Sequence, residues 1–154
     1  MPGQIEARIA ELGVTLPQAA APAANYVPFV RTGNQLFISG QIPMGPDGIQ
    51  FQGKLGAGTS IEDGQAAARL CAINLLAQAK AALGDLDKVV RLVKIVGFVN
   101  SAPDFGDQPK VMNGASDFLV EALGDRGRHA RSAVGVAGLP FGVAVEVEAV
   151  FEVE

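Results

Sequence analysis

The stretch 143–153 constrains the fold more than any other. Val143, Val145, Val147, Ala149, Phe151 and Val153 fall on one side of a two-residue repeat, and Glu146, Glu148 and Glu152 fall on the other. Such alternation is a β-strand with one face on a core and the other turned away from it. A strand needs partners, and four more segments read as strands. Residues 88–100 are apolar on both faces, with Val90, Leu92, Val96 and Phe98 on one and Val89, Val93, Ile95 and Val99 on the other, as in a central strand. Residues 131–138 lead into the last strand through Leu139-Pro140-Phe141-Gly142. Tyr26 to Arg31 and Gln35 to Ser39 form a hairpin across Thr32-Gly33-Asn34. The turn residues Pro46-Asp47-Gly48 predict a short strand around Ile49 to Gln52.

The cover for this sheet is helical. Residues 61–83 carry two apolar stripes, one through Ala66, Leu70, Ile73 and Ala77, the other through Ala68, Cys71, Leu75, Ala79 and Ala82, with Asn74 and Gln78 between them. So broad an apolar surface must be covered on more than one side. A second helix spans about 108–123, with Pro109 in its first turn, Gly124 past its end, and Val111, Ala115, Phe118 and Ala122 as its packing stripe. A short helix over 4–13 and a Pro/Ala arm to Pro22 precede the hairpin. The expected architecture is α+β, a mixed sheet with two helices packed on one face. It is read as a single domain, with residues 1–24 as helix and arm and residues 25–154 as the body.

Composition removes several classes. Hydrophobic residues make up 49% of the 154-residue chain and charged residues 18%, which excludes a disordered chain and leaves a sparse polar coat, as on an oligomer surface. Twelve Lys and Arg against sixteen Asp and Glu argue against a general nucleic-acid partner. One Cys, Cys71, and one His, His129, give neither an intrachain disulfide nor a metal cluster. Cys71 reads as a buried thiol and His129 as a surface or interface residue. No apolar run approaches a membrane span, and the N-terminus has no signal-like core, so a cytoplasmic location is expected. The Gly-rich stretch 45–58 matches neither a phosphate loop nor a dinucleotide fingerprint.

Parity raises a candidate site. With Val134 and Val136 turned to the helices, Arg131, Ala133 and Gly135 face away, on the side expected for Glu146 and Glu148. An Arg beside a carboxylate over a small-residue floor is a fork for a substrate carboxylate next to a group that orients water. The same pair is also an ordinary exposed ion pair.

The hairpin followed by Ser39-Gly40-Gln41-Ile42-Pro43 resembles the N-terminal signature of the RidA (YjgF) family. Residues 130–140, from Ala130-Arg131-Ser132-Ala133 to Leu139-Pro140, followed by Val145-Glu146-Val147-Glu148, resemble its second signature. The resemblance covers about residues 25–154 and leans toward a less characterised subgroup with an N-terminal arm. It implies a chorismate-mutase-like fold and a homotrimer whose ligand clefts lie between subunits. It implies hydrolysis of reactive 2-imino and enamino acids, such as 2-aminoacrylate, to 2-oxo acids and ammonia, without metal or organic cofactor. By the same resemblance, Arg131 matches the Arg that clamps the substrate carboxylate and Glu146 the Glu at the reacting water. Tyr26 matches the Tyr of the cleft wall, Asn113 the helix Asn near the cleft, and Gly40 the loop Gly. Backbone groups near Ser132 and Ala133 are expected to meet the substrate. The family often has Cys two residues after the Arg; here Ala133 removes any thiol chemistry there. Asn25-Tyr26-Val27-Pro28 departs from the usual Gly-Pro-Tyr-Ser, which implies a different pocket shape. Glu148 reads as an interface ion-pair partner. The competing functions are a non-catalytic trimer that binds a small carboxylate, a ribonuclease or translation inhibitor, and, from fold alone, a chorismate mutase.

Overall fold

Ser60 starts the longest helix. Its hydroxyl accepts from the backbone N–H of Asp63 at 3.1 Å, and Glu62 and Asp63 in the first turn complement the helix dipole. Gly84, at φ 79°, ends it. In the computed structural model, which describes residues 3–22 and 24–154, this helix is α2 (Ile61–Leu83). Met1, Pro2 and Ala23, part of the arm read from the sequence, lie outside the described residues. The other helices are α1 (Gln4–Glu11) and α3 (Gln108–Leu123), the latter with Pro109 near its start and Gly124 past its end. α1 has no side-chain cap of its own. The Asp87 carboxylate supplies one, accepting from Gln4 N at 2.8 Å and Ile5 N at 3.0 Å, and these bonds hold its pKa below the usual Asp range. Their contribution to stability is present above that ordinary range and is lost as pH falls through the lowered value.

The main sheet runs β1-β2-β9-β7-β8, from β1 (Phe29–Thr32), β2 (Gln35–Gln41), β7 (Val89–Asn100), β8 (Ala130–Val136) and β9 (Val145–Val153). All neighbours are antiparallel except β7 and β8. Two ribbons of short strands fill the stretch before α2: β3 (Met44–Gly45) with β4 (Gly48–Ile49), and β5 (Lys54–Leu55) with β6 (Gly58–Thr59). The strand expected at 49–52 is therefore shorter; Gln52 makes only an isolated bridge to Val143. β1 begins at Phe29 and not at Tyr26, because residues 24–26 form a bend and Pro28 lacks a ladder donor. The hairpin turn is Gly33-Asn34, with Gly33 at φ 57°.

α2 and α3 pack together, and the core lies between them and the sheet, built on Leu36, Leu75, Leu76, Leu92, Ile95, Leu119 and Phe151. Burying each of these side chains is worth roughly 1.5–3 kcal/mol. Ile5 and Ile9 of α1 join the same cluster.

Two assignments of strand faces need correction. β7 was expected to place Leu92 with Val96 and Phe98, and Val93 with Ile95 and Val99. The register shifts between Val89 and Arg91 and again between Leu92 and Lys94, so Leu92 joins Ile95 and Val99 in the core while Val90 and Val93 are exposed. Each extra residue flips the faces beyond it. The parity of β8 is reversed outright. Arg131 pairs with Ile95, Ala133 with Gly97 and Gly135 with Val99, all on the helix side; Val134 pairs with Phe98, which pairs with Glu146 on the outer side. Arg131 and Glu146 thus lie on opposite faces. The outer face has no small-residue floor and instead exposes Val30, Phe37 and Val134 at 53%, 42% and 43%.

Candidate active site

Gly40 and Glu146 meet because β2 is irregular. Between Ile38 and Gln41 it carries one residue more than β9 opposite it, which bulges the chain at Ser39 and Gly40. A Cβ on Gly40 would fall on the Glu146 carboxylate, within 2.8 Å of its Cδ. The absence of a side chain is what lets Glu146 lie on bare backbone there. Glu146 is half-buried, and that desolvation, followed by the negative charge of Glu148, raises its pKa above the usual Glu range. A carboxylate whose pKa is raised accepts a proton more readily than an ordinary Glu.

Glu146 borders a cavity of about 260 Å³ that also takes in Tyr26, Gly40, the arm residues Ala20 to Pro22, and Phe141. Side-chain amides of α2 hold its rim. Asn74 Nδ2 donates to the carbonyls of Ile42 and Met44, both at 3.0 Å, and Gln78 Nε2 donates to Ala20 O at 2.9 Å. Gln78 Oε1 is buried without a partner among the described residues. Ser39 ties the segment before β1 to β2, through Ser39 N to Pro28 O at 2.9 Å and its hydroxyl to Val27 O at 3.2 Å. Phe141 is 64% exposed with φ 58°, a left-handed conformation that costs a bulky residue about 1 kcal/mol or more. It is retained by Gln52 Nε2 donating to Phe141 O at 2.8 Å and Gly53 N donating to Gly142 O at 2.8 Å.

Arg131 occupies a separate, open depression over α3, beside Asn113, Ser116, Arg128 and His129. Its guanidinium donates to Asn113 Oδ1 at 3.0 Å, to Ser116 Oγ at 3.1 Å and to Pro109 O at 3.3 Å. These acceptors are neutral, and among the described residues no carboxylate is in ion-pair reach, so its charge is oriented but not compensated. Ser116 Oγ lies 2.9 Å from His129 Nε2, and His129 Nδ1 contacts Gly127 O. A carbonyl only accepts, so Nδ1 carries the proton in that contact; in the neutral ring Nε2 then accepts from the Ser116 hydroxyl, whose oxygen receives Arg131. Ser132 lies on the outer face beside Val96, and Ala133 packs against the core. β8 pairs only with β7, which leaves backbone groups along its free edge available.

The chain therefore gathers Tyr26, Gly40 and Glu146 in one place, and Arg131 with Asn113 in another. The sequence reading does not single out Ser116 or Phe141, and it reads His129 as a surface or interface residue, without its contact to Ser116. The two amides of α2 were visible as polar interruptions of an apolar helix, four residues apart. Cys71 is fully buried; burial first, and then the Glu146 charge, hold its pKa well above the usual thiol value, so it has no nucleophilic role.

The family described as "YjgF/chorismate_mutase-like, putative endoribonuclease" matches residues 6–150. This chain is a member of the YjgF/RidA family. It has that family's chorismate-mutase-like α+β fold. Protein TCP17 of Trypanosoma cruzi is 54% identical over 97% of this chain and 94% of its own length. The crystal structure of Atu1372, a protein of unknown function from Agrobacterium tumefaciens, superposes with a TM-score of 0.92 at 51% identity, covering 97% of this chain and 92% of that one. A YjgF/RidA structure of E. coli TdcF with bound serine superposes with a TM-score of 0.64 at 27% identity, over 89% of this chain and 94% of that one. Within the family, this chain's geometry is nearer to Atu1372 than to TdcF. No helix among the described residues is long and apolar enough to cross a membrane, and none of their His, Cys, Asp and Glu side chains form a metal-binding group.

Proposed function

We propose that this protein hydrolyses reactive 2-imino and enamino acids of the 2-aminoacrylate type to 2-oxo acids and ammonia, at clefts between the subunits of a homotrimer. The observation that carries the reading is the uncompensated Arg131 guanidinium, held by three neutral acceptors and open to an anion. A substrate carboxylate completes its fork. The electrophilic imine carbon then needs a water and a group to trade protons with it, and Glu146, with its raised pKa, is suited to that part.

The chemistry balances without a co-reactant. An enamine first tautomerises to its imine. The water oxygen adds to the C=N carbon, one proton goes to nitrogen, and the carbinolamine collapses with C–N cleavage to a 2-oxo acid and ammonia. Glu146 takes a proton from the water and returns it toward the leaving nitrogen. Positioning and charge complementarity supply the acceleration.

Arg131 and Glu146 lie on opposite faces of one protomer's sheet, so the reading requires one subunit's β8 edge to meet the Gly40 cavity of the next. The exposed apolar side chains Val30, Phe37 and Val134 support such an assembly. In this arrangement Tyr26 and Gly40 wall the cleft, Asn113 orients Arg131, and the Ser132–Ala133 backbone meets the substrate. The bound serine in TdcF favours a second reading, a trimer that only binds small carboxylates. The acidic balance of the chain speaks against RNA as substrate.

The test is 2-aminoacrylate hydrolysis, with substrate generated in situ by a dehydratase, for wild type beside Arg131→Ala. The reading expects pyruvate release to be accelerated by wild type and not by the folded variant. Acceleration unchanged in the variant contradicts the Arg131 assignment, and no acceleration by wild type leaves the binding reading in its place.

A further inference from the structure

The cavity beside Glu146 is too large and too apolar for the smallest substrate of the proposed reaction. Its volume is about 260 Å³, while an apolar cavity of about 150 Å³ already holds a benzene ring. In 2-iminopropanoate the carbon next to the imine bears only a methyl group, which leaves most of this space unfilled. Away from Glu146 the walls are largely apolar. Ala21 and Pro22 of the arm close one side, Met44 and Ile49 of the β3–β4 ribbon another, and Phe141 stands at the mouth.

Two features show that this shape is maintained by specific contacts. The arm is tied down through Gln78 Nε2 to Ala20 O, and the ribbon through Asn74 Nδ2 to Ile42 O and Met44 O. Phe141 keeps an exposed ring in a left-handed backbone conformation that few bulky residues adopt, anchored from Gln52 and Gly53.

We infer that this cavity receives the substrate's side chain and that the protein prefers 2-imino acids with a large apolar side chain, branched aliphatic or aromatic, over 2-iminopropanoate. The inference rests on the hydrolase reading for its substrate and adds the side-chain specificity. The arm is then a specificity element, and Ala21, Ile49 and Phe141 set the preference. Each further methylene buried favours the larger substrate by about fourfold.

The experiment generates imines in situ from alanine, leucine and phenylalanine with an L-amino-acid oxidase and follows 2-oxo acid release, for wild type and Ala21→Trp. Ala21 lines the cavity and is exposed, so an indole there narrows the cavity without disturbing the core. We expect kcat/KM for the leucine or phenylalanine imine to exceed that for the alanine imine by at least about tenfold, from two or more buried methylenes. The tryptophan should collapse that ratio. Equal kcat/KM values in wild type, or a ratio unmoved by Ala21→Trp, overturn the inference while leaving the hydrolase reading intact. Calorimetry separates the two if no imine is turned over. Tighter binding of 4-methyl-2-oxopentanoate than of pyruvate, lost in Ala21→Trp, supports the cavity assignment without catalysis. Equal binding, or none, overturns it.

Discussion

The Arg131 depression and the Glu146 cavity are built on opposite plans. Arg131 is surrounded by acceptors: an amide, a hydroxyl and a carbonyl of α3 fix its guanidinium, and His129 fixes the hydroxyl in turn. Glu146 lies against the bare backbone of Gly40, half out of water, with another carboxylate as its charged neighbour. A cation held by neutral partners keeps its charge and its direction, as binding an anion requires. A carboxylate deprived of water and placed near a like charge is ready to take up a proton. On the proposed reading, the first region binds and the second exchanges protons.

Substitutions at either end sharpen or break this contrast. The largest effect is expected at Arg131. Losing two charge-assisted hydrogen bonds to a substrate carboxylate removes about 3–6 kcal/mol, so Arg131→Ala should lower kcat/KM by roughly two to four orders of magnitude. Arg131→Lys should restore little, because an ammonium lacks the fork. Steady-state kinetics on a turned-over imine reads both.

Glu146→Gln comes next. It should lower kcat by about a hundredfold if Glu146 exchanges protons with the water. In wild type, activity that needs the carboxylate should fall as pH drops through the raised pKa, at higher pH than for an ordinary Glu. Stability should move the other way. A raised folded-state pKa means that stability is full below the ordinary Glu range and declines as pH rises through the raised value. Glu146→Gln should therefore melt above wild type at pH 8, with the difference vanishing near pH 4, about the ordinary Glu value. A Gln variant that melts lower at pH 8 contradicts the desolvation account.

Gly40→Ala should cost less, about tenfold in kcat, by pushing the carboxylate off its seat. In a Glu146→Gln background the same change should cost far less, since the two share one contact. Independent effects would separate Gly40 from Glu146. The smallest effect is expected at Ser116. Ser116→Ala removes one of three acceptors of Arg131 and should raise KM by about two- to tenfold with kcat preserved. A fall in kcat alone would argue against a purely positioning role.

The helices were the most legible part of the sequence. α2 and α3 carry capping signals at their ends, and their extents read from the sequence agree with the structure. The last strand was legible because only one of its faces is apolar. β7 and β8 were not, for one physical reason: both of their faces carry apolar residues, so hydrophobicity does not say which way is in. In β7 the two bulges then shift the faces without any Gly or Pro to mark them. In β8 the inward positions go to Arg131, Ala133 and Gly135 because that edge faces the polar side of α3, where Asn113 and Ser116 wait for a donor. Val134 points outward instead, beside Phe98 on the outer face. The two signatures singled out Gly40, Arg131 and Glu146 as candidates, but the division of these residues between two depressions was not legible. That division depends on the sheet order, which joins β8 and β2 only through β7 and β9.

The central claim, that each cleft draws Arg131 and Glu146 from different subunits, is tested most directly by mixing. Arg131→Ala and Glu146→Gln chains, each strongly impaired alone, are unfolded together in equal amounts, refolded and assayed. If subunits share clefts, random assembly leaves about a quarter of them with both residues intact, and that fraction of wild-type activity should return. A mixture no more active than its parents, with mixed trimers verified by mass spectrometry, would contradict the shared cleft.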